Sequence, residues 1–274
     1  MFEPFNAGQS SPFYFPPLYS VAAGSGNPLV LVHGMAASLR DWAAVLPALA
    51  QHGFATYAVD LIGHGDSPKP ELDAAYHIEF MYQAFHAWLA ALTITEPVIL
   101  VGHSMGGYLS LLHTIRHPET VRALILVDPL YSPSQLSPLL NWMRHRPDLG
   151  VRTSPYVPAW FVDKVSGLGT LLNEGIETQE LLRMAADYRR ASPKILYIPR
   201  TIEDLTGKLA EINKPSLVVW GKQDRTLNPV SFETLVQRMP KAFGQALPGF
   251  GHHPHLANSS GVNGLIVEFI RQLG

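Results

Sequence analysis

The chain has 274 residues, with 20 Lys and Arg against 22 Asp and Glu, so its formal net charge is −2, and it contains no cysteine. This length suits one large domain or one domain with an insertion, and the 47% share of apolar residues is typical of a globular protein rather than a disordered chain. The balanced charge gives no electrostatic basis for binding nucleic acid or an anionic membrane, and the lack of cysteine excludes disulfides, thiolate nucleophiles and cysteine-ligated zinc.

Five short runs along the chain have the composition of buried strands. Four of them are continuously apolar and rich in β-branched residues, and the fifth, residues 55–59, is weaker. Strands covered on both faces of a parallel sheet have this pattern, whereas half-exposed strands alternate. The predicted strands are residues 29–32, 55–59, 98–101, 123–127 and 217–220.

Segments with helical periodicity separate several of these strands. In residues 76–92 the apolar side chains recur every three or four positions and so share one face of a helix, and residues 108–117 form a second helical run. Alternating strands and helices predict an α/β fold with a doubly wound, mostly parallel sheet flanked by helices.

Residues 129–214 interrupt the alternation, because they contain no convincing strand but many proline and aromatic residues. So long a connection in a compact domain is either disordered or a functional insertion, and its aromatic residues, among them Tyr156, Trp160 and Phe161, favour the insertion. We predict a helical lid over the carboxyl ends of the strands, where α/β sheets bind ligands. The predicted boundaries are 131–200 for the lid and 1–130 with 201–274 for the core.

Two helices are predicted near the end of this connection. Residues 178–190 have helical periodicity. Thr201, followed three residues later by Asp204, resembles a capping box and predicts a second helix that ends near Ile212.

The strongest chemical signal is the sequence Gly-His-Ser-Met-Gly at residues 102–106, directly after a predicted strand and before a predicted helix. A serine on so sharp a turn exposes its Oγ, and the flanking glycines let the strand and helix backbones approach closely. The hydroxyl of Ser104 then lies at a helix N-terminus, which favours negative charge. This context predicts a nucleophilic serine.

With this serine turn, the sequence resembles the α/β-hydrolase fold superfamily, in its lidded, serine esterase-like branch. The resemblance extends from about Leu29 to Leu273 and rests on segments that follow one another in the family's order. The matched segments are residues 33–35 (His-Gly-Met), 60–67 (Asp-Leu-Ile-Gly-His-Gly-Asp-Ser), 102–106, 221–225 (Gly-Lys-Gln-Asp-Arg) and 251–254 (Gly-His-His-Pro).

The resemblance implies a catalytic triad in the chain order nucleophile, acid, base. Ser104 is then the nucleophile, Asp224 the carboxylate that orients the imidazole, and His252 the general base and later the acid. The resemblance also implies that the backbone N–H groups of Met35 and Met105 form the oxyanion hole. We expect no cofactor and no metal ion.

Other assignments stay open from the residues alone. Asp128 also ends a predicted strand and is a rival for the acid, and His253 is a rival for the base. The histidines 252, 253 and 255 are also compatible with a metal cluster, but no carboxylate lies among them in the sequence and two adjacent residues are poorly spaced for a common centre.

The residues around the serine reduce the number of reaction types to consider. Dehalogenases and epoxide hydrolases of this fold carry Asp at the position of Ser104, and C–C bond hydrolases usually carry Asn and Trp where this chain has His103 and His253. The sequence therefore predicts a serine hydrolase that cleaves carboxylic esters of small to medium apolar substrates. The alternatives are another reaction of the same triad (thioesterase, lactonase, C–C bond hydrolase or cofactor-free haloperoxidase) and a small-molecule receptor on this fold.

The first residues contain no basic segment followed by an apolar run, so they do not resemble a secretory signal. We therefore expect a cytoplasmic protein whose partner is a small-molecule ester, with no membrane and no nucleic acid among its partners.

Overall fold

A computed structural model describes residues 15–153 and 176–273. The lid aromatics Tyr156, Trp160 and Phe161 lie outside the described residues. The strands of the described chain are β1 (Ser20–Ala23), β2 (Asn27–Val32), β3 (Phe54–Val59), β4 (Val98–His103), β5 (Val121–Val127), β6 (Ser216–Gly221) and β7 (Ala242–Leu247).

All seven strands belong to one sheet, in the order β1-β3-β2-β4-β5-β6-β7. β1 pairs antiparallel with β3, and every other neighbouring pair is parallel. Val32 lies opposite Gly102, and His103 lies opposite Val127, so the carboxyl ends of the central strands meet at one edge of the sheet. The predicted fold class, a mostly parallel α/β sheet flanked by helices, is confirmed.

Helices pack on both faces of this sheet. Along β4, Leu100 belongs to one apolar cluster, whereas Ile99 and Val101 belong to another, because successive side chains of a strand point to opposite faces. The α-helices of the described residues are α1 (Val45–Gln51), α2 (Ile78–Ala91), α3 (Met105–Arg116), α4 (Pro138–Arg144), α5 (Pro147–Thr153), α6 (Thr178–Arg190), α7 (Ile198–Thr201), α8 (Val230–Arg238), α9 (Pro254–Ala257) and α10 (Ser259–Arg271).

The predicted strands all appear, but the sequence did not indicate β1 or β7. β7 reads Ala-Phe-Gly-Gln-Ala-Leu and lies at the edge of the sheet, where its residues are half-buried or exposed. β1 lies at the opposite edge and is also incompletely buried. Neither has the continuous apolar run that marks a strand covered on both faces.

The prediction that a helix begins at Thr201 is wrong. Thr201 is the last residue of the short helix α7, and its Oγ1 accepts a hydrogen bond of 2.9 Å from the N–H of Ile78 at the start of α2. A 3₁₀ helix follows at Thr206–Glu211, and the Asp204 carboxylate accepts a hydrogen bond from the N–H of Thr206. The hydroxyl of Thr201 therefore joins two elements rather than capping its own helix.

The connection between β5 and β6 contains α4 to α7, and its described residues contribute no strand to the sheet. α6 is held to the core by polar contacts. The buried Asp187 on α6 accepts a hydrogen bond of 2.8 Å from the hydroxyl of Ser38. Arg183, one turn earlier, contacts both Asp187 and Asp41 at 3.0 Å. The domain boundaries at residues 131 and 200 stay predictions.

In residues 15–153 and 176–273, no helix combines the length and the apolar character that crossing a lipid bilayer requires.

Candidate active site

Ser104 occupies the turn between β4 and α3. Its backbone has φ +49° and ψ −114°, a conformation that L-residues rarely adopt. Its N–H donates to the carbonyl of Val127 at 3.0 Å, which ties the strained turn to the neighbouring strand. A Cβ at residue 106 would lie 2.1 Å from the carbonyl oxygen of Val32, so only glycine fits beneath the serine.

A continuous hydrogen-bond chain joins the three predicted triad residues. The Nε2 of His252 lies 3.0 Å from the Oγ of Ser104, and its Nδ1 lies 2.7 Å from Oδ2 of Asp224. The second carboxylate oxygen of Asp224 accepts hydrogen bonds from the N–H groups of Thr226 and Leu227, at 2.7 and 2.9 Å. The fold thus brings together residues that lie far apart in the sequence.

The surroundings of Asp224 favour its charged form. Burial by itself raises the pKa of this carboxyl, but the His252 imidazole and the N–H groups of Leu227 and Thr226 outweigh burial, so the pKa of Asp224 is lowered from its ordinary value. A charged carboxylate hydrogen-bonded to Nδ1 holds the proton there and leaves the lone pair of Nε2 directed at the serine.

The rival acid, Asp128, is also buried in this region but does not hold the histidine. Its Oδ1 accepts a hydrogen bond of 3.0 Å from the N–H of Gly221, and its Oδ2 has no partner among the described residues. Burial, and then the charge of Asp224, raises the pKa of Asp128 well above its ordinary value. This shift disfavours the charged form that could stabilise an imidazolium, and the hydrogen bond to His252 is made by Asp224.

The rival base, His253, lies beside the hydrogen-bonded series Ser104–His252–Asp224 and is not a member of it. Its ring centre is 5.0 Å from that of His252, and the contacts with Ser104 and Asp224 are made by His252.

The predicted oxyanion donors lie at the ends of two adjacent strands. Met105 is the first residue of α3, and Met35 follows shortly after β2. Among the hydrogen bonds of the described residues, none uses the backbone N–H of either methionine. Free N–H groups at a helix N-terminus attract negative charge.

The loop that carries Met35 is fixed by a buried histidine. His33 donates from Nδ1 to the carbonyl of Gly34 at 2.7 Å, and its Nε2 accepts a hydrogen bond of 3.0 Å from the N–H of Leu61. Burial lowers the pKa of His33 to about 4, so the ring is neutral and can make both bonds at once. Asp60 accepts from the N–H groups of Leu39 and Asp66 and so organises the neighbouring loop.

An apolar cavity of about 280 Å³ opens beside Met35. The other side chains along the wall come mainly from α4 and α5, in the connection between β5 and β6, and most of them are aliphatic or aromatic. They include Leu136, Leu139, Leu140, Trp142, Met143 and Leu149. The space next to a predicted oxyanion donor therefore suits an apolar group.

A model of the family described as "Alpha/beta hydrolase family" matches residues 29–264, which is most of the chain. The chain belongs to the α/β-hydrolase family. For this α/β hydrolase, the resemblance inferred from the sequence motifs is confirmed.

Known proteins similar to this α/β hydrolase differ in activity. Lipase 3 of Moraxella sp. (strain TA144) is 26% identical over 246 residues, covering 84% of this chain and 73% of that protein. The 2-hydroxy-6-oxo-6-(2'-aminophenyl)hexa-2,4-dienoic acid hydrolase of Metapseudomonas resinovorans is 26% identical over 241 residues, covering 84% of this chain and 79% of that protein. The solved structure of a thermophilic esterase from Thermogutta terrifontis has a TM-score of 0.79, covers 93% of both chains and is 23% identical, which supports the fold alone.

The sequence motifs did not indicate the role of two buried residues that lie near the hydrogen-bonded residues Ser104, His252 and Asp224. His103 precedes the serine, and its Nε2 donates to the backbone carbonyl of His252 at 2.9 Å, which holds the loop of that histidine. Asp41, from a 3₁₀ helix at Leu39–Trp42, lies close to His103 and His255. In the sequence, His103 is only the variable position before the serine of the motif. No feature of the neighbouring residues indicates a role for Asp41.

Proposed function

We propose that this α/β hydrolase is a serine hydrolase that cleaves carboxylic esters of small to medium apolar substrates through an acyl-enzyme on Ser104. The observation that carries the proposal is the pair of contacts that His252 makes, 3.0 Å to the hydroxyl of Ser104 and 2.7 Å to the carboxylate of Asp224. A neutral hydroxyl becomes a nucleophile when an oriented base accepts its proton, and this geometry supplies both the base and the group that orients it.

The reaction begins when Nε2 of His252 takes the proton of Ser104 while Oγ attacks the ester carbonyl carbon. The carbonyl oxygen becomes negative and accepts hydrogen bonds from the N–H groups of Met35 and Met105; losing one such donor typically costs about 3 kcal/mol. His252 then returns the proton to the leaving alcohol, which leaves an acyl group on Oγ. Water, deprotonated by the same nitrogen, releases the acid and restores the serine.

The preference for apolar esters is supported by the cavity beside Met35. Its wall is largely aliphatic and aromatic, and its volume of about 280 Å³ suits a substituent of modest size. Because the wall comes mainly from α4 and α5, residues 131–200 would act as a lid that determines which substituent fits. The similarity to Lipase 3 is consistent with an apolar ester.

A substrate panel tests this proposal. We expect p-nitrophenyl esters of graded acyl length to be hydrolysed at about 1–1000 per second, with an optimum at short to medium chains. A fluorophosphonate probe should label the peptide that contains Ser104, and S104A should abolish both labelling and turnover while remaining folded. Labelling at another residue, or turnover that survives in S104A, would refute the proposal.

The pH dependence of activity gives a second test of the base. An imidazolium cannot accept the serine proton, so kcat/KM should fall as the pH decreases from 8 to 5. A flat profile over this range contradicts a histidine base.

A second candidate is cleavage of a C–C bond by the same three residues. The similarity to the Metapseudomonas resinovorans hydrolase favours it, because identity and coverage equal or exceed those of the lipase. An acidic substrate of that kind would need cationic groups in its pocket, and Arg144 and Arg146 line the cavity beside Met35 among mainly apolar side chains. Adding a 2-hydroxy-6-oxo-dienoic acid and a lactone to the ester panel separates the candidates.

A further inference from the structure

A second group of histidine and carboxylate side chains is buried beside the proposed triad. It consists of Asp41, His103 and His255, and one potential ligand atom of each lies within 4.8 Å of the other two. Their exposed fractions are 2%, 1% and 0%. The proposed reaction uses none of these side chains to move a proton or bind the ester.

Several polar atoms in this group have no hydrogen-bond partner among the described residues. They are Oδ2 of Asp41, Nδ1 of His103 and both ring nitrogens of His255. Buried polar atoms in proteins are nearly always partnered, and each that is not costs free energy. Other buried atoms of the described chain are also unpartnered, but here three residues that each carry such an atom bring one potential ligand atom apiece within 4.8 Å of one another.

The other polar atoms of Asp41 and His103 are already held in place. Nε2 of His103 donates to the carbonyl of His252 at 2.9 Å, which leaves the lone pair of the neutral ring on Nδ1. Oδ1 of Asp41 accepts a hydrogen bond of 3.0 Å from Nη2 of Arg183, which leaves Oδ2 free. Metal ligands are oriented in this way, with a second hydrogen bond to a carbonyl or a charged group.

The charge of the group also suits a cation. Burial raises the pKa of Asp41 to about 6 although Arg183 opposes it, so the carboxylate is still charged at neutral pH. Burial, and then the neighbouring histidines, lowers the pKa of His103 and of His255 well below the ordinary value, so both imidazoles are neutral. A carboxylate with two neutral imidazoles is a ligand set typical of Zn²⁺ and similar ions.

We propose that Asp41, His103 and His255 bind a divalent transition-metal ion such as Zn²⁺. Ligands about 2 Å from a tetrahedral zinc stand roughly 3.3 Å apart, so side-chain shifts of about 1 Å are enough to close the site. A cavity of about 310 Å³ borders Asp41 and His255 and is also lined by Glu177 and Glu180. These acidic side chains line a route by which a cation can enter.

The ion would join three segments that are distant in sequence. Its ligands come from the 3₁₀ helix Leu39–Trp42, from the end of β4 and from α9. Since His103 also donates to the carbonyl of His252, the ion would hold the loop that carries the proposed base. The site stabilises this region whether or not the protein cleaves esters.

Metal binding is tested on tag-free protein that has been stripped with a chelator. Calorimetric titration with ZnCl₂ should show one ion per chain, and Co²⁺ should give visible absorption bands of a four- or five-coordinate centre. D41N preserves the shape of the side chain and should weaken Zn²⁺ binding at least tenfold, as should H255N. H52N changes an exposed histidine that follows the C-terminal end of α1 and is not one of the three proposed ligands, so it should bind as the wild type does.

Circular dichroism identifies any variant that does not fold. If one of D41N and H255N fails to fold, the Zn²⁺ affinity of the other is compared with that of the wild type and of H52N. No saturable binding of Zn²⁺ or Co²⁺ by the wild type overturns the proposal. So does unchanged affinity in a folded D41N or H255N, which would show that the ion binds elsewhere. Zn²⁺ should also raise the Tm of the wild type and of H52N, but not that of the ligand variants.

Discussion

Two neighbouring polar clusters of this α/β hydrolase are built from the same kinds of side chain but differ in their hydrogen bonding. In the proposed triad, the two nitrogens of His252 each have a partner, Ser104 on one side and Asp224 on the other. In the cluster of Asp41, His103 and His255, each residue keeps at least one polar atom without a partner among the described residues. The first cluster is complete as a proton path, whereas the second still offers ligand atoms.

The two buried carboxylates show the physical basis of the difference. Burial raises the pKa of both, but His252 and two backbone N–H groups lower that of Asp224 below its ordinary value. Arg183 does not overcome burial at Asp41, whose pKa is raised to about 6. The number and direction of the partners therefore decide the state of a buried carboxylate, rather than burial alone.

The largest effect is expected from D224N, which breaks the first cluster. An amide can donate to Nδ1 and stabilise the wrong tautomer of His252, so kcat should fall about 10⁴-fold, with KM nearly unchanged. Steady-state kinetics on the best ester of the panel measure this effect, with near-wild-type circular dichroism as the control. A loss smaller than tenfold would mean that another group orients the base.

Removing the cation beside the second cluster should affect stability rather than chemistry. Arg183 is 17% exposed and contacts Asp41 and Asp187, both almost fully buried, at 3.0 Å. R183M leaves both anions without this partner, and we expect the free energy of unfolding to fall by about 3 kcal/mol. Urea unfolding in the presence of a chelator measures it, and R200M, at an exposed arginine of α7, is the control. Equal stability of the two variants contradicts the account.

The charge of Asp224 should also contribute to stability in a pH-dependent way. Its pKa is lower in the folded protein than in the unfolded chain, so this contribution is present above the unfolded value near 3.8. It disappears as the pH falls through the folded value. The stability difference between the wild type and D224N should therefore shrink in acid, measured by urea unfolding from pH 7 to pH 3. A difference that grows in acid has the wrong sign.

The smallest effect is expected from D128N, at the second buried carboxyl next to the proposed triad. Burial and the charge of Asp224 favour the neutral form of Asp128, and a neutral amide has nearly the same shape as that carboxyl group. The carbonyl of Asn can still accept the hydrogen bond from Gly221. We expect kcat/KM within about threefold of the wild type, against the large loss in D224N. A 100-fold loss would assign Asp128 an ionised role in the reaction.

Much of the sheet was predictable because strands covered on both faces need continuous apolar runs, as β2, β4, β5 and β6 show. The edge strand β7 was not predictable in this way, because its residues are half-buried or exposed and therefore do not form a continuous apolar run. The helix expected after Thr201 failed for a related reason. A capping residue is recognised from its neighbours in sequence, but the hydroxyl of Thr201 is used by Ile78, which is remote in the chain.

The sequence by itself determined the family, the strand-turn-helix around Ser104 and the candidate acids and bases, because each depends on neighbouring residues. Only the tertiary structure decided that Asp224 rather than Asp128 contacts His252. Both carboxylates follow strands, and they differ in their hydrogen-bond partners, which include His252 for Asp224 and Gly221 for Asp128. It also brought Asp41 to His103 and His255, supplying the carboxylate that is missing among the histidines in the sequence. Contacts between remote segments depend on how the chain folds back on itself, which no local pattern records.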